Sequence, residues 1–227
     1  MTGFLASVVS LEEARLALQG GADLVDLKNP AEGALGALPL ATVRHVVAEL
    51  GGKRPFSATA GDLPMSPQVV RAAVETLAAT GVDYVKIGFF PGGDWDGVLE
   101  SLTGIARNGA RLIAVLFADD GPAPEWIEPI ARTGFAGVML DTRDKRAGSL
   151  RDLLGEAELR AFLDRGRGSG LLRGLAGSLR EADIAPLLAL QPDYLGFRGA
   201  LCAATKRTAA LDIQALGNVR RRIHPLL

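Results

Sequence analysis

The chain has 227 residues, 48% of them hydrophobic and 22% charged, with a mean hydropathy of +0.20 and a formal net charge of −1. That is enough chain for one large domain with a real core, and its dispersed basic residues argue against a nucleic-acid partner. No run approaches the roughly 18 apolar residues of a membrane span, the start Met1–Ser7 lacks the basic and apolar regions of a signal peptide, and the lone Cys202 excludes an internal disulfide and suits a reducing cytoplasm.

Strand and helix patterns alternate along the whole chain. Leu5–Val9 reads as a strand, and Ser10 caps a helix over 11–19 that Gly20-Gly21 ends. Leu24–Lys28 is the second strand, broken by Asn29-Pro30 and a glycine-containing loop to Gly36, before a helix over 40–50. Phe56–Ala60 is the third strand, and Ser66-Pro67 opens a helix that Gly81 stops. Tyr84–Phe89, Leu112–Phe117 and Gly137–Asp141 are strands four to six, with helices predicted over 95–108, 124–133 and 150–165. Leu171–Ala176 and Tyr194–Arg198 complete the set, with helices over 179–190 and 212–223. Eight such pairs, with no linker or low-complexity segment, predict a single (β/α)8 barrel over residues 1–227. A doubly wound open sheet is the alternative, but the expected glycine-rich turn after the first strand is absent from Val8–Glu13.

Side chains two apart on a strand share a face, so Asp26 and Lys28 point together, away from Val25 and Leu27. Asn29-Pro30 puts Lys28 at the strand's C-terminal tip, the end where barrels carry their active sites. Lys86 on the fourth strand and Asp141 on the sixth are also predicted to point inward, and Lys145 follows four residues past Asp141. Only five of the 25 basic residues are lysine. Lysine, unlike arginine, becomes a neutral nucleophile when its pKa falls. Clustered amines should depress at least one pKa, leaving an amine able to attack a carbonyl and a second to move protons. The plain reading is two rim ion pairs, Asp26–Lys28 and Asp141–Lys145.

The turns Gly174–Ser178 and Gly196–Ala200 follow the seventh and eighth strands, where barrels commonly hold a phosphate on free backbone N–H groups. Gly177, Ser178, Arg198 and Gly199 are the candidate phosphate ligands, with Arg198 able to pair with a dianion. The plain alternative is a pair of tight turns in which Ser178 only caps a helix. No His, Cys and carboxylate cluster has metal-ligand spacing, and no cofactor is expected. His45 and His224 rank low; Asp119-Asp120 reads as a solvated turn before Gly121-Pro122, Lys206-Arg207 as a solvated helix start, and Cys202 as a small buried residue.

Five blocks, Asp26–Gly36, Tyr84–Gly88, Met139–Lys145, Gly174–Leu179 and Gly196–Cys202, together resemble the (5-formylfuran-3-yl)methyl phosphate synthase family. The resemblance spans nearly the whole chain; Cys202–Thr208 departs from the family pattern, where a more acidic or glycine-containing turn is expected. It implies a TIM barrel that condenses two glyceraldehyde 3-phosphate molecules, with loss of phosphate and water, to make the furan of methanofuran. By that resemblance Lys28 is the Schiff-base lysine and Lys86 the proton acceptor, assisted by Asp26, Asp141 and Lys145. Another Schiff-base aldolase on a sugar phosphate and a non-catalytic phosphometabolite-binding barrel are the competing readings. The apolar-rich, aromatic-poor composition hints at a homo-oligomer.

Overall fold

A computed structural model describes residues 1–121 and 124–224. Eight parallel strands close into a barrel in sequence order. They are β1 (Gly3–Val8), β2 (Leu24–Leu27), β3 (Phe56–Thr59), β4 (Tyr84–Gly88), β5 (Leu112–Phe117), β6 (Gly137–Asp141), β7 (Leu172–Leu175) and β8 (Tyr194–Phe197). The predicted (β/α)8 barrel is therefore the fold, and its strands are covered outside by α1 (Leu11–Gln19), α2 (Leu40–Leu50), α3 (Pro67–Ala78), α4 (Trp95–Arg107), α5 (Ile127–Thr133), α6 (Leu150–Leu153), α7 (Glu156–Gly168), α8 (Glu181–Leu188) and α9 (Ile213–Ile223).

Two helices differ from expectation for local reasons. The helix predicted over 150–165 is two, because Leu154 is extended (φ −122°, ψ 134°) and each half carries its own N-terminal acid. Asp152 accepts the Ser149 N–H and Glu158 the Gly155 N–H, so both starts are satisfied without a continuous helix. The segment over 124–133 opens as a 3-10 turn at Pro124–Trp126 before α5 begins. Pro122 of the turn read after Asp120 lies outside the described residues.

The N-terminal end of the barrel is tied by a repeated device. Asp23, Asp83 and Asp193, each just before an even strand, accept the backbone N–H of Phe4, Phe56 and Arg173 at 2.9, 2.8 and 2.7 Å. This leaves the opposite end free to vary. Inside the barrel, Leu5, Leu35, Val115, Phe117, Met139 and Tyr194 form an apolar plug beneath that free end. Gly174 admits the Tyr194 ring, since a Cβ there would lie 2.3 Å from it. Leu35 comes from the β2–α2 loop and is fully buried, an anchor worth about 1.5–3 kcal/mol that pins the loop beside Lys28.

Candidate active site

The strand register builds the site in two storeys. Asp26 lies opposite Ser7 on β1 and Ser57 on β3, while Lys86 lies opposite Thr59. Barrel stagger shifts equivalent levels by about two residues every two strands, so Lys86 rather than Tyr84 reaches the level of Asp26. The lower storey is a closed polar cluster. Asp26 accepts the Ser57 hydroxyl at 2.6 Å, the Ser7 hydroxyl at 3.1 Å and Lys86 Nζ at 3.0 Å. Asp26 is fully buried and Lys86 nearly so, which is tolerable only because each is paired and hydrogen-bonded.

One storey higher, Lys28 Nζ lies 3.4 Å from Asp141 Oδ2. The other carboxylate oxygen accepts Lys145 Nζ at 2.5 Å and the Thr142 N–H at 2.7 Å. Lys145 also donates to the Thr142 carbonyl, which closes the β6–α6 loop over the carboxylate. The rim pairing expected within Asp26–Lys28 is thus replaced by pairing across the barrel: Asp26 with Lys86, and Asp141 with Lys28 as well as Lys145. Inward side chains two apart on one strand occupy different levels, so their best partners stand on other strands.

The electrostatics bring the neutral form of Lys28 within reach of physiological pH. Burial lowers its pKa to about 8; Asp141 opposes the shift, and Lys145 and Lys86 add to it. Desolvation thus contributes more than the neighbouring amines. Burial would raise the Asp141 pKa, but Lys145 and Lys28 outweigh it and hold the carboxyl well below the usual range, so it stays ionised.

Above these groups opens a cavity of about 680 Å³, lined by Lys28, Lys86, Asp141 and Lys145 and by Gly177, Ser178 and Gly199. Among the described residues, the N–H groups of Gly177, Ser178, Gly199 and Ala200 donate to no protein acceptor. Gly177 has φ +104°, and a Cβ there would meet Thr142 at 2.6 Å. Ser178 holds φ +47°, a conformation costly for a residue with a Cβ and typical of functional turns. Unpaired backbone donors on residues that line a cavity at the ends of β7 and β8 have the chemistry to receive an anion.

Arg198 lines the same cavity, but its guanidinium has protein partners. It pairs with Glu13 at 2.5 Å and donates to the carbonyls of Ser7, Arg207 and Ala209. The geometry makes it a brace for the chain after β8, in place of the free dianion partner expected. Asp119-Asp120 is likewise no solvated turn: Asp119 accepts the N–H groups of Arg143 and Asp144, and Asp120 pairs with the Arg143 guanidinium. The two carboxylates hold the loop that presents Lys145. Arg207, read as solvated, is half-buried over the mouth and donates to the Gly33 carbonyl at 2.9 Å. Asp62 accepts the Ala34 and Leu35 N–H groups and holds the loop that follows Lys28. Ser7, Glu13 and Asp62 were not singled out from the sequence; of these, Ser7 alone had a signal, its inward position two residues after Leu5. Cys202 is buried, as expected.

Fold and site together define a (β/α)8 barrel with a buried cluster of amines and carboxylates at the C-terminal ends of its strands, lining a cavity that unpaired backbone N–H groups also line. The 4-HFC-P synthase family model matches residues 4–220, and the chain belongs to that family. A Methylorubrum extorquens protein provisionally named (5-formylfuran-3-yl)methyl phosphate synthase is 48% identical over 92% of this chain and 86% of its own length. The (5-formylfuran-3-yl)methyl phosphate synthase of Methanosarcina mazei is 36% identical over 90% of this chain and 92% of its own. A solved 3-hexulose-6-phosphate synthase from Salmonella typhimurium shares the fold, with a TM-score of 0.70 at 14% identity over 98% of this chain and 100% of the other. No helix among the described residues is long and apolar enough to cross a membrane.

Proposed function

We propose that the chain is a Schiff-base-forming lyase that condenses two glyceraldehyde 3-phosphate molecules into (5-formylfuran-3-yl)methyl phosphate for methanofuran biosynthesis. The observation that carries this reading is the buried Lys28 amine, with its pKa near 8, facing an ionised Asp141 at the floor of the cavity. The neutral amine attacks the aldehyde of one substrate, and water leaves as the imine forms. A positive charge on that imine nitrogen is stabilised by Asp141, itself fixed by Lys145 and the Thr142 N–H. Lys86, held by Asp26 one storey below, is within the same cavity to take and return carbon-bound protons. The phosphate rests on the N–H groups of Gly177, Ser178 and Gly199. The enamine expels its phosphate, the terminal carbon of the resulting enol attacks the carbonyl of the second molecule in its ketone form, ring closure with loss of two waters gives the furan as its imine, and hydrolysis of that imine frees the aldehyde and Lys28. The family membership supplies the product; the amine cluster and cradle supply the chemistry.

The test is borohydride trapping with glyceraldehyde 3-phosphate, followed by peptide mass analysis and by ultraviolet detection of a furan aldehyde. An adduct on Lys28 together with the furan chromophore is expected. A trapped protein with no label on Lys28 would sink the imine role, and an adduct without a furan would point to another aldolase.

A further inference from the structure

Two phosphorylated substrates bring two dianions to one cavity, and the backbone cradle at β7 and β8 accounts for one of them. The lysines cannot hold the second unaided. Lys28 must be neutral to attack, and the charges of Lys86 and Lys145 are matched by Asp26 and Asp141. A further cation is required, and two other arginines at the mouth are committed. Arg198 is paired with Glu13, and Arg180 with Asp152 and Asp183.

Arg207 is different. It lines the cavity, is half-buried, and makes no ion pair among the described residues. One guanidinium nitrogen donates to the Gly33 carbonyl, which leaves most of its five donors for a ligand. It is also held in place from both sides. Its carbonyl accepts Arg198 Nε at 2.8 Å, and Arg198 is itself clamped by Glu13, which further accepts the Leu211 N–H at 3.3 Å. Gly33, in turn, precedes Ala34 and Leu35, both anchored on Asp62. The guanidinium therefore reaches from the chain after β8 to the loop after β2; the Gly177 and Ser178 part of the cradle follows β7, and its Gly199 and Ala200 part opens the segment after β8 that leads to Arg207. Burial works against its charge and the nearby Asp141 and Asp62 work for it, but an arginine stays protonated.

The geometry points to Arg207 as the residue that binds the phosphate of the second substrate molecule, with Glu13 and Arg198 as its positioning pair. The inference rests on the two-substrate reading proposed above. A planar guanidinium with free paired donors suits a phosphate dianion.

Glycerol 3-phosphate is the probe, because it carries the phosphate but no carbonyl and cannot form an imine. Calorimetric titration of the parent should count two sites per chain. Arg207→Met keeps the bulk without the charge and should count one; Arg207→Lys should keep two, the second weakened. In parallel, Arg207→Met should retain the borohydride-trapped adduct on Lys28 while furan formation falls about 100-fold. Two sites remaining in Arg207→Met, or one site in the parent, overturns the inference. Loss of the Lys28 adduct together with the product also overturns it, since Arg207 would then serve the first phosphate. A parent that makes no furan defeats the synthase reading instead, and the glycerol 3-phosphate count still decides Arg207.

Discussion

Lys28 and Asp141 are 113 positions apart in the chain and meet at 3.4 Å inside the barrel. The contact is one-sided. Asp141 holds Lys145 closely and the Thr142 N–H besides, whereas Asp141 is the only carboxylate within ion-pair distance of the Lys28 amine among the described residues. A buried amine with one long ion pair is the arrangement that lets desolvation win.

The pH profile follows from that balance. Lys28 ionises near 8, so about a tenth of it is neutral at pH 7. The kcat/KM for furan formation should rise about tenfold per unit of pH up to about 8 and then level off. A profile that stays flat from pH 6 to 9 would remove Lys28 as the nucleophile.

Stability should separate the two central lysines. Lys28→Met should abolish activity yet stabilise the fold by about 1–3 kcal/mol, because a buried charge disfavoured by desolvation is replaced by an apolar chain while Asp141 keeps Lys145. The gain depends on pH in a defined direction. The unfolded lysine keeps its proton to 10.5 and the folded one only to about 8, so parent stability rises across that window and the advantage of Lys28→Met shrinks. Denaturant melts at pH 7 and pH 10 check both statements.

Lys86→Met should instead cost about 3–5 kcal/mol, since it strands the fully buried Asp26 with only two hydroxyl donors. Equal destabilisation by both substitutions would contradict the two-storey assignment.

Asp119 offers a test away from the amines. Its carboxylate accepts two successive N–H groups in the loop that presents Lys145. Asp119→Ala should lower kcat about tenfold through a misplaced Lys145, with Tm falling by only about 2–4 °C. Restoration of activity in Asp119→Asn, which keeps one acceptor oxygen, would support positioning over charge.

The strained turn makes an opposite pair of predictions. Ser178→Gly should raise stability by about 1 kcal/mol by relieving φ +47°, and should raise KM by removing the hydroxyl. Gly177→Ala should lower both stability and substrate affinity, because the new methyl meets Thr142 at 2.6 Å. Measured melting temperatures and KM values for the two variants decide whether the turn's strain serves binding.

Much of this site was legible before any coordinates. Period-two patterning put Asp26, Lys28, Lys86 and Asp141 on inward faces, and the Asn29-Pro30 break put Lys28 at the open end. The partners of those residues were not legible. Asp26 pairs with a lysine 60 positions away and not with its neighbour two along, because barrel stagger sets which side chains share a level. Arg198 and Arg207 illustrate the same limit. Both are arginines in one short stretch after β8, yet Glu13 from α1 consumes the first and leaves the second over the cavity.

What the linear order of residues determined, then, was the alternation of strand and helix, the closed barrel it requires, and the end at which chemistry is possible. These depend on local periodicity and on the strong preference of βαβ units for one hand. What only the tertiary structure decided was pairing and protonation: which carboxylate holds which amine, which of the mouth arginines, among the described residues, has no ion pair, and why Lys28 ionises near 8. Those depend on burial and on distances between segments far apart in sequence, as between Glu13 and Arg198, 185 positions apart, and desolvation has no value until the chain has closed around the charge.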